Sequence, residues 1–392
     1  KQLFPQAQIT HPFTAGSAAK AAYIGWGNRP SGVKARLLSK KYGKQAILLE
    51  GGFLHGFFPG RTEPQASYLI DRTGVHYDST CPSDLENIIA KGISDAALLA
   101  RARSAMDSLC HLKLSKYNSS PLLFVGEVGI DEGRPFVLLV DQVPQDASIA
   151  GSQADEQTFR LMLKEAIRAW PDHQIVVRPH LASKSVGHLQ EASQTHPEVI
   201  VLKTACNIWP LLEQADHVYT VSSHCGFEAL FCGTPVTCFG FPFYAGWGLT
   251  NDALSSDLVP NRRGKRSLEE LFAASYIVSS QYLDMHDRKP TTLEDTIDTL
   301  SVIMESRARN RSFVATAGLS AWKRRAVNPF LMSRNGKPRH FSSFDAAEEA
   351  ALAKGDGIVA VWGESTVDKT LPTGDAPEVV RLEDGFLRST GL

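Results

Sequence analysis

Short apolar runs alternate along the chain with longer stretches whose apolar positions recur every three or four residues. Ala21–Gly25 and Ala46–Leu49 read as strands, separated by a basic, helix-period stretch at Ser31–Tyr42. A second series follows at Phe136–Val140, Gln174–Val177, Val199–Leu202, His217–Val221 and Val236–Phe239, with helical patterns at Gln157–Ala169 and Gly226–Phe231 between them. Short, almost uninterrupted apolar strands separated by helices predict parallel sheets covered on both faces. The rhythm breaks near Leu112–Pro121, where a polar Lys-Tyr-Asn-Ser-Ser run precedes the second series. The fold class expected is therefore α/β, with two Rossmann-like lobes facing a cleft: residues 1–118, then 119–327 with closing helices. Ligands of such sheets bind at the carboxyl ends of the strands.

A third piece, residues 328–392, repeats the chain's own beginning. Ala22-Tyr23-Ile24-Gly25-Trp26-Gly27 is echoed by Val359-Ala360-Val361-Trp362-Gly363. Leu49-Glu50-Gly51-Gly52-Phe53-Leu54-His55-Gly56 is echoed by Leu382-Glu383-Asp384-Gly385-Phe386-Leu387-Arg388-Ser389. Two matching motifs in the same order predict a tandem protein whose second module has just begun at Leu392. The expectation is an isolated strand pair, too little to bury a core. The opening residue, Lys1, reads as an incomplete start.

Bulk properties narrow the function. A net charge of -1 removes the electrostatic footprint of a nucleic-acid binder. Local basic clusters at Arg262–Arg266 and Lys323–Arg325 read as solvated surface or as a patch for an anionic lipid or acceptor. The six cysteines form no C-x-x-C pair, which points to buried thiols of a reducing compartment rather than zinc or disulfides. No apolar run reaches the length of a membrane span and no signal peptide is read. A cytoplasmic protein, at most peripheral to a membrane, is expected.

Four constellations carry candidate chemistry. Val221-Ser222-Ser223-His224-Cys225-Gly226-Phe227-Glu228, then Gly233-Thr234-Pro235, reads as strand, polar turn and helix start. Ser222, Ser223 and Gly226 can offer donors to a phosphate, and Glu228 can accept from ribose hydroxyls. An N-cap by Ser223 explains the same residues equally well. Arg178-Pro179-His180 ends a buried strand, where a guanidinium and an imidazole can stabilise a departing phosphate; His188 is a weaker candidate. The loop Asp141-Gln142-Val143-Pro144-Gln145-Asp146-Ala147-Ser148 brings two carboxylates and a serine to the cleft. Asp146, and after it Asp141, can act as nucleophile or charge stabiliser, or can hold an Asx-turn. Phe241–Thr250 is an aromatic, glycine-rich loop suited to a structural plug or a sugar platform. No Asp-x-Asp metal clamp, Walker motif or dinucleotide fingerprint is present; Gly25-Trp26-Gly27 lacks the third glycine.

Together these residues resemble the KpsC-type capsular polysaccharide biosynthesis family of retaining β-Kdo transferases. The most specific parts are Ser222–Leu230, Pro242–Thr250, Tyr77–Glu86 and the Glu383–Ser389 tail. The resemblance implies a GT-B-like fold, CMP-β-Kdo as donor substrate with no further cofactor or metal, and retention of configuration. It implies a lipid-linked oligo-Kdo acceptor at the inner face of the cytoplasmic membrane, and a place in a capsule assembly and export complex. Ser148, Arg178, Pro179, His180, Ser222, Ser223, Gly226 and Glu228, with Gly25 and Glu50 from the first lobe, would then hold the donor. This chain departs from the pattern at His180-Leu181, where the family has His-Pro. It departs again at Glu50–Gly56, where an acidic residue, an arginine and a serine of the motif are replaced. His55 is a weaker, pH-dependent substitute for that arginine.

The expected chemistry is double displacement. Asp146 attacks the anomeric carbon, the Arg178–His180 and Ser222–Ser223 groups stabilise leaving CMP, and an acceptor hydroxyl resolves the intermediate. The alternatives are transfer of another CMP-ulosonic acid, such as sialic acid, and a degenerate module that binds acceptor or scaffolds capsule assembly.

Overall fold

The computed structural model describes residues 2–5, 22–60, 63–180, 186–254, 261–363 and 376–383. The chain divides into two compact units, Lys1–Asp298 and Thr299–Leu392.

The first unit holds two sheets. One is ordered β1 (Ala22–Trp26), β2 (Gln45–Gly51), β3 (Ser67–Asp71), β10 (Ser280–Leu283), β11 (Pro290–Thr291). Only β1 and β2 are parallel; β3, β10 and β11 add antiparallel neighbours. The first lobe thus keeps the α/β class read from the sequence while adding antiparallel neighbours to its one parallel pair. The chain returns from β2 to β3 without a crossover helix, and that connection permits antiparallel pairing. Strands β10 and β11 also come home to the first sheet, so residues 280–291 do not extend the second lobe.

The other sheet is ordered β6 (Ile200–Val201), β5 (Gln174–Arg178), β4 (Phe136–Val140), β7 (His217–Thr220), β8 (Val236–Cys238), β9 (Asn251–Asp252), and every pair is parallel. Every residue of β4, β5 and β7 is buried, which is why these strands read as unbroken apolar runs. The helix Glu156–Ala169 buries Phe159, Met162, Leu163 and Ala166, the i, i+3, i+4, i+7 set of one face. Asp155 and Thr158 start it with a reciprocal capping box.

The two lobes are joined by more than the linker. Glu86 of the helix Asp84–Lys91 receives Arg262 Nε at 2.8 Å and Arg263 Nε at 2.7 Å. Arg263 also donates to the carbonyls of Pro242 and Ala245 in the aromatic loop. The basic cluster read as surface or lipid patch is therefore corrected at its first two arginines: a carboxylate only 4% exposed must be paired, and they pair it.

The second unit contains a parallel sheet ordered β13 (Arg339–Phe341), β12 (Val314–Ala317), β14 (Ile358–Trp362), β15 (Glu378–Leu382). The expected isolated strand pair is corrected, because β12 precedes residue 328 and joins β14 directly. Apolar clusters cover the sheet, Phe313, Ala315, Val359 and Val361 in one, Val314, Leu331, Ile358 and Ala360 in the other.

The two sequence echoes build the same corner. Trp26 pairs with Leu49 in β1–β2, and Trp362 with Leu382 in β14–β15. Gly27 and Gly363 each follow with positive φ, +35° and +60°, and each donates its N–H to that leucine's carbonyl, at 3.0 and 2.9 Å. The rest of the second echo, Asp384–Ser389, lies outside the described residues.

Candidate functional site

A cavity of about 390 Å³ opens between the two sheets of the first unit. Its second-lobe wall is built at the carboxyl ends of β4, β5 and β7. Leaving β4, the chain turns through Gln145, whose φ of +66° is strained for a side-chain-bearing residue, and reaches Asp146. Asp146 caps the short helix Ala147–Gly151, with Oδ1 accepting from Ser148 N at 2.9 Å, and borders the cleft with its carboxylate.

Gln142 ties this loop to the turn after β7. Its Oε1 accepts from Ser222 N at 2.9 Å, and its Nε2 donates to Ser222 Oγ at 3.0 Å and Ser148 Oγ at 3.1 Å. Ser223 caps the helix His224–Phe231 by accepting from Cys225 N at 3.3 Å. Asp146, Ser148, Ser222 and Ser223 thus form one polar ledge.

Arg178 and His180 end β5 beside that ledge. Arg178 is buried, one Nη2 contact holds the Cys206 carbonyl at 3.1 Å, and its buried Nε has no partner. A buried unpartnered guanidinium N–H is costly unless a ligand completes it. Burial first, then the Arg178 charge, lowers the His180 pKa, so its imidazole is neutral at pH 7.

Glu50 comes from β2 of the first lobe, and Glu228 from the second-lobe helix that Ser223 caps. Tyr77 donates to Glu50 Oε1 at 3.0 Å, and burial raises the Glu50 pKa against that bond and the nearby cations. Gly27 is obligatory here, since a Cβ would fall 1.6 Å from Glu50 Oε1. Glu228, only 1% exposed, accepts from Lys116 N at 3.3 Å and leaves Oε2 unpartnered. Burial pushes its pKa up to about 7. Phe243 and Tyr244 close this end as buried rings, so the aromatic loop is a plug with one edge on the cleft.

The cleft therefore gathers Asp146, Ser148, Arg178, His180, Ser222, Ser223, Glu228 and Glu50, together with Asp141. Asp141 is fully buried, and its carboxylate accepts from the backbone N–H groups of Gln142, Leu189 and Gln190 at 2.9, 3.0 and 3.1 Å. That carboxylate starts the helix His188–Ala192 from outside, its oxygens facing backbone donors. Gly25, Pro179 and Gly226 do not line the cleft. A Cβ at Gly25 would strike Ser31 O at 2.3 Å, and one at Gly226 would strike the Tyr244 hydroxyl at 2.3 Å. Both glycines permit close packing at these positions. His188 stacks on Phe159, with ring centroids 4.8 Å apart. Sequence reasoning missed Gln142 and Lys116, which carried no motif signal; only their place in polar loops beside strand ends hinted at them. Among the described residues, no cluster of three or more His, Cys, Asp or Glu is arranged to hold a metal ion.

Two α/β lobes with a polar cleft at their strand ends define a GT-B-like protein. Residues 21–282 match the family described as capsule polysaccharide biosynthesis protein, and the chain belongs to that family. It is similar to the β-Kdo 2,4 transferase of Thermosulfurimonas dismutans KpsC, at 36% identity and TM-score 0.67 over 72% of this chain and 87% of that one. The β-Kdo 2,7 transferase of the same KpsC matches at 28% identity and TM-score 0.56, over 71% and 84%. The capsule polysaccharide modification protein LipA of Neisseria meningitidis serogroup A is 35% identical over 97% of this chain and 55% of its own length. The lipopolysaccharide-processing protein LpsZ of Rhizobium meliloti is 36% identical over 60% and 53%. The chain spans about half the length of the curated relatives it matches.

Proposed function

We propose that the first unit is a retaining β-Kdo transferase module that moves Kdo from CMP-Kdo to a lipid-linked oligo-Kdo acceptor in capsule linker synthesis. The observation that carries this reading is the Gln142-braced ledge. It sets a carboxylate, Asp146, next to the hydroxyls of Ser222 and Ser223, beside Arg178 and His180. The likeness to the two KpsC transferases supports the choice of sugar.

Asp146 attacks the anomeric carbon of the donor as the carbon–oxygen bond to CMP breaks. CMP leaves as a phosphate monoester, its added negative charge met by Arg178 and the serine donors, in place of a metal. A neutral His180 donates one further hydrogen bond. An acceptor hydroxyl then displaces Asp146 while its proton passes to the departed CMP phosphate, and two inversions give net retention. Glu228 and Glu50 accept from hydroxyls of the ribose and of the sugar. The second unit begins another module of the same kind.

The reaction belongs at the inner face of the cytoplasmic membrane, with the capsule assembly machinery as neighbour. The helix Pro30–Tyr42 suits contact with anionic lipid: residues 29–44 carry six Lys and Arg and no acid. Val33 and Leu37 are 42% and 64% exposed on that helix beside Lys40 and Lys41. Among the described residues no helix is long and apolar enough to cross a membrane.

The test is transfer from CMP-Kdo generated in situ onto a synthetic Kdo-terminated acceptor, with linkage read by NMR and intact-protein mass spectrometry on slowed variants. A β-linked product and a sugar adduct that disappears in Asp146→Ala are expected. CMP binding without turnover would favour a binding module, and transfer of sialic acid instead would change the donor.

A further inference from the structure

The charges of the cleft do not all find use in the mechanism above. Among the described residues lining it, the lysine and arginine side chains are Arg29, Lys116 and Arg178. The histidines contribute no charge, since burial lowers the pKa of His55 to about 4, of His76 to about 3, and of His180 and His224 as well. Arg178 stands with the phosphate-side ledge. Arg29, from the turn after β1, restrains the Glu50 pKa less than Lys116 does.

Lys116 reaches the cleft from the segment that joins the lobes. Its backbone is fixed from both sides: the carbonyl accepts from His55 N at 3.1 Å and Gly56 N at 3.3 Å, and its N–H donates to Glu228. Lys116 lines the cavity with Glu50, His55, His76, His180, His224 and Glu228, and its charge acts on each of them. Its Nζ lies over the Tyr117 ring, 5.8 Å from the centroid. Among the described residues no carboxylate forms an ion pair with it.

An ulosonic sugar linked to CMP brings two negative charges into this cleft, one on the phosphodiester and one on the carboxylate at the anomeric carbon. Arg178 and the ledge answer the first. In a low-dielectric cleft the second needs its own cation, and a neutral His55 cannot supply it. We propose that Lys116 binds the carboxylate of the ulosonic sugar, and so selects acidic sugars over neutral ones. This rests on the transferase reading above and adds to it the residue that reads the substrate's acid group. The carboxylate can belong to the donor sugar or to the terminal sugar of the acceptor, and the experiment separates the two.

The experiment compares wild type, Lys116→Met and Lys116→Arg, with CMP affinity by calorimetry, donor hydrolysis without acceptor, and acceptor KM. CMP lacks the carboxylate, so its affinity should change by less than about twofold in both variants. Lys116→Met should lose roughly 10- to 100-fold in kcat/KM, the range of one charge-assisted hydrogen bond, and Lys116→Arg should recover most of it. A loss in donor hydrolysis assigns the donor's carboxylate; a loss confined to acceptor KM assigns the acceptor's. Equal weakening of CMP would overturn the proposal in favour of a phosphate contact, as would undiminished activity in Lys116→Met. A wild type that binds CMP without transferring an acidic sugar would remove the transferase reading itself, and this one with it.

Discussion

Gln142 holds Ser222 with both ends of one carboxamide, accepting from its N–H at 2.9 Å and donating to its hydroxyl at 3.0 Å. The same Nε2 reaches Ser148, so one side chain sets the spacing between the Asp146 loop and the turn after β7.

Replacing Gln142 by Ala should therefore uncouple two loops without touching a reacting atom. Activity should fall roughly 10- to 100-fold while stability drops by about 1–2 kcal/mol, the cost of freed polar groups. Steady-state kinetics and urea melts check both. Full activity in Gln142→Ala would show that the loops keep their spacing unaided.

Asp146 and Asp141 should separate cleanly. Asp146→Ala should reduce kcat by on the order of 1,000-fold or more with little change in melting temperature. Asp141→Ala should mainly destabilise, by about 1–3 kcal/mol, because buried backbone N–H groups lose their acceptor. A folded Asp141→Ala protein as inactive as Asp146→Ala would return Asp141 to the chemistry.

Glu86 answers two arginines from the other lobe, and Arg263 is itself almost wholly buried. Glu86→Ala should cost on the order of 3–5 kcal/mol, as breaking a buried pair from one side does. Thermal unfolding should show this at low and high salt alike, since burial limits screening. A change below about 0.5 kcal/mol would mean the pair behaves as an exposed one.

Acid should weaken the fold through the cleft's histidines. His55 and His76 have folded pKa values of about 4 and about 3 against an ordinary 6.5, and that of His224 is also well below it. Their neutral burial costs nothing above pH 6.5; below it the unfolded chain binds protons that the folded one refuses, and stability falls until the folded pKa values are reached. Glu228 has the opposite sign, raised from 4.5 to about 7, so its contribution is whole below pH 4.5 and lost as pH rises towards 7. Between pH 6.5 and 4.5 the four cleft imidazoles, His180 included, act against the raised carboxyls of Glu228, Glu50 and Asp141, and melting temperature should fall across that window. His76→Phe should flatten the fall. A melting temperature that rises on acidification would contradict the buried neutral state.

The helix Pro30–Tyr42 should carry the membrane contact. Wild type should co-sediment with vesicles containing phosphatidylglycerol and not with neutral phosphatidylcholine, with binding lost in high salt. The variant Leu37→Ser with Lys40→Glu and Lys41→Glu should stay in the supernatant while hydrolysing donor normally. Equal sedimentation of variant and wild type would place the contact elsewhere.

Much of the second lobe was legible because its strands are buried on both faces. Phe136–Val140 and Gln174–Val177 leave no room for another reading of an apolar run. The first lobe was less so, since the antiparallel entry of β3 and the return of β10 depend on partners more than two hundred residues apart in sequence for Ser67 and Tyr282. In the site, Asp146, Arg178 and Ser222 announce themselves at strand ends. Asp141, one position after the same strand, carries the same signal and spends it on the helix Leu189 begins. Sequence cannot separate these two aspartates, because the donors that claim Asp141 come from a helix forty-eight residues on. Arg262 and Arg263 mislead for the same reason: their carboxylate sits far back at position 86.

The corner at Gly27 has a consequence for descent. With Glu50 Oε1 occupying the space of a Cβ, the two positions can change only together, whereas at Gly363 the matching Glu383 oxygen would stand 2.8 Å from a new Cβ and could swing aside. A lineage carrying both corners would keep glycine at each for its left-handed turn, and at the first would also carry position 50 along with it.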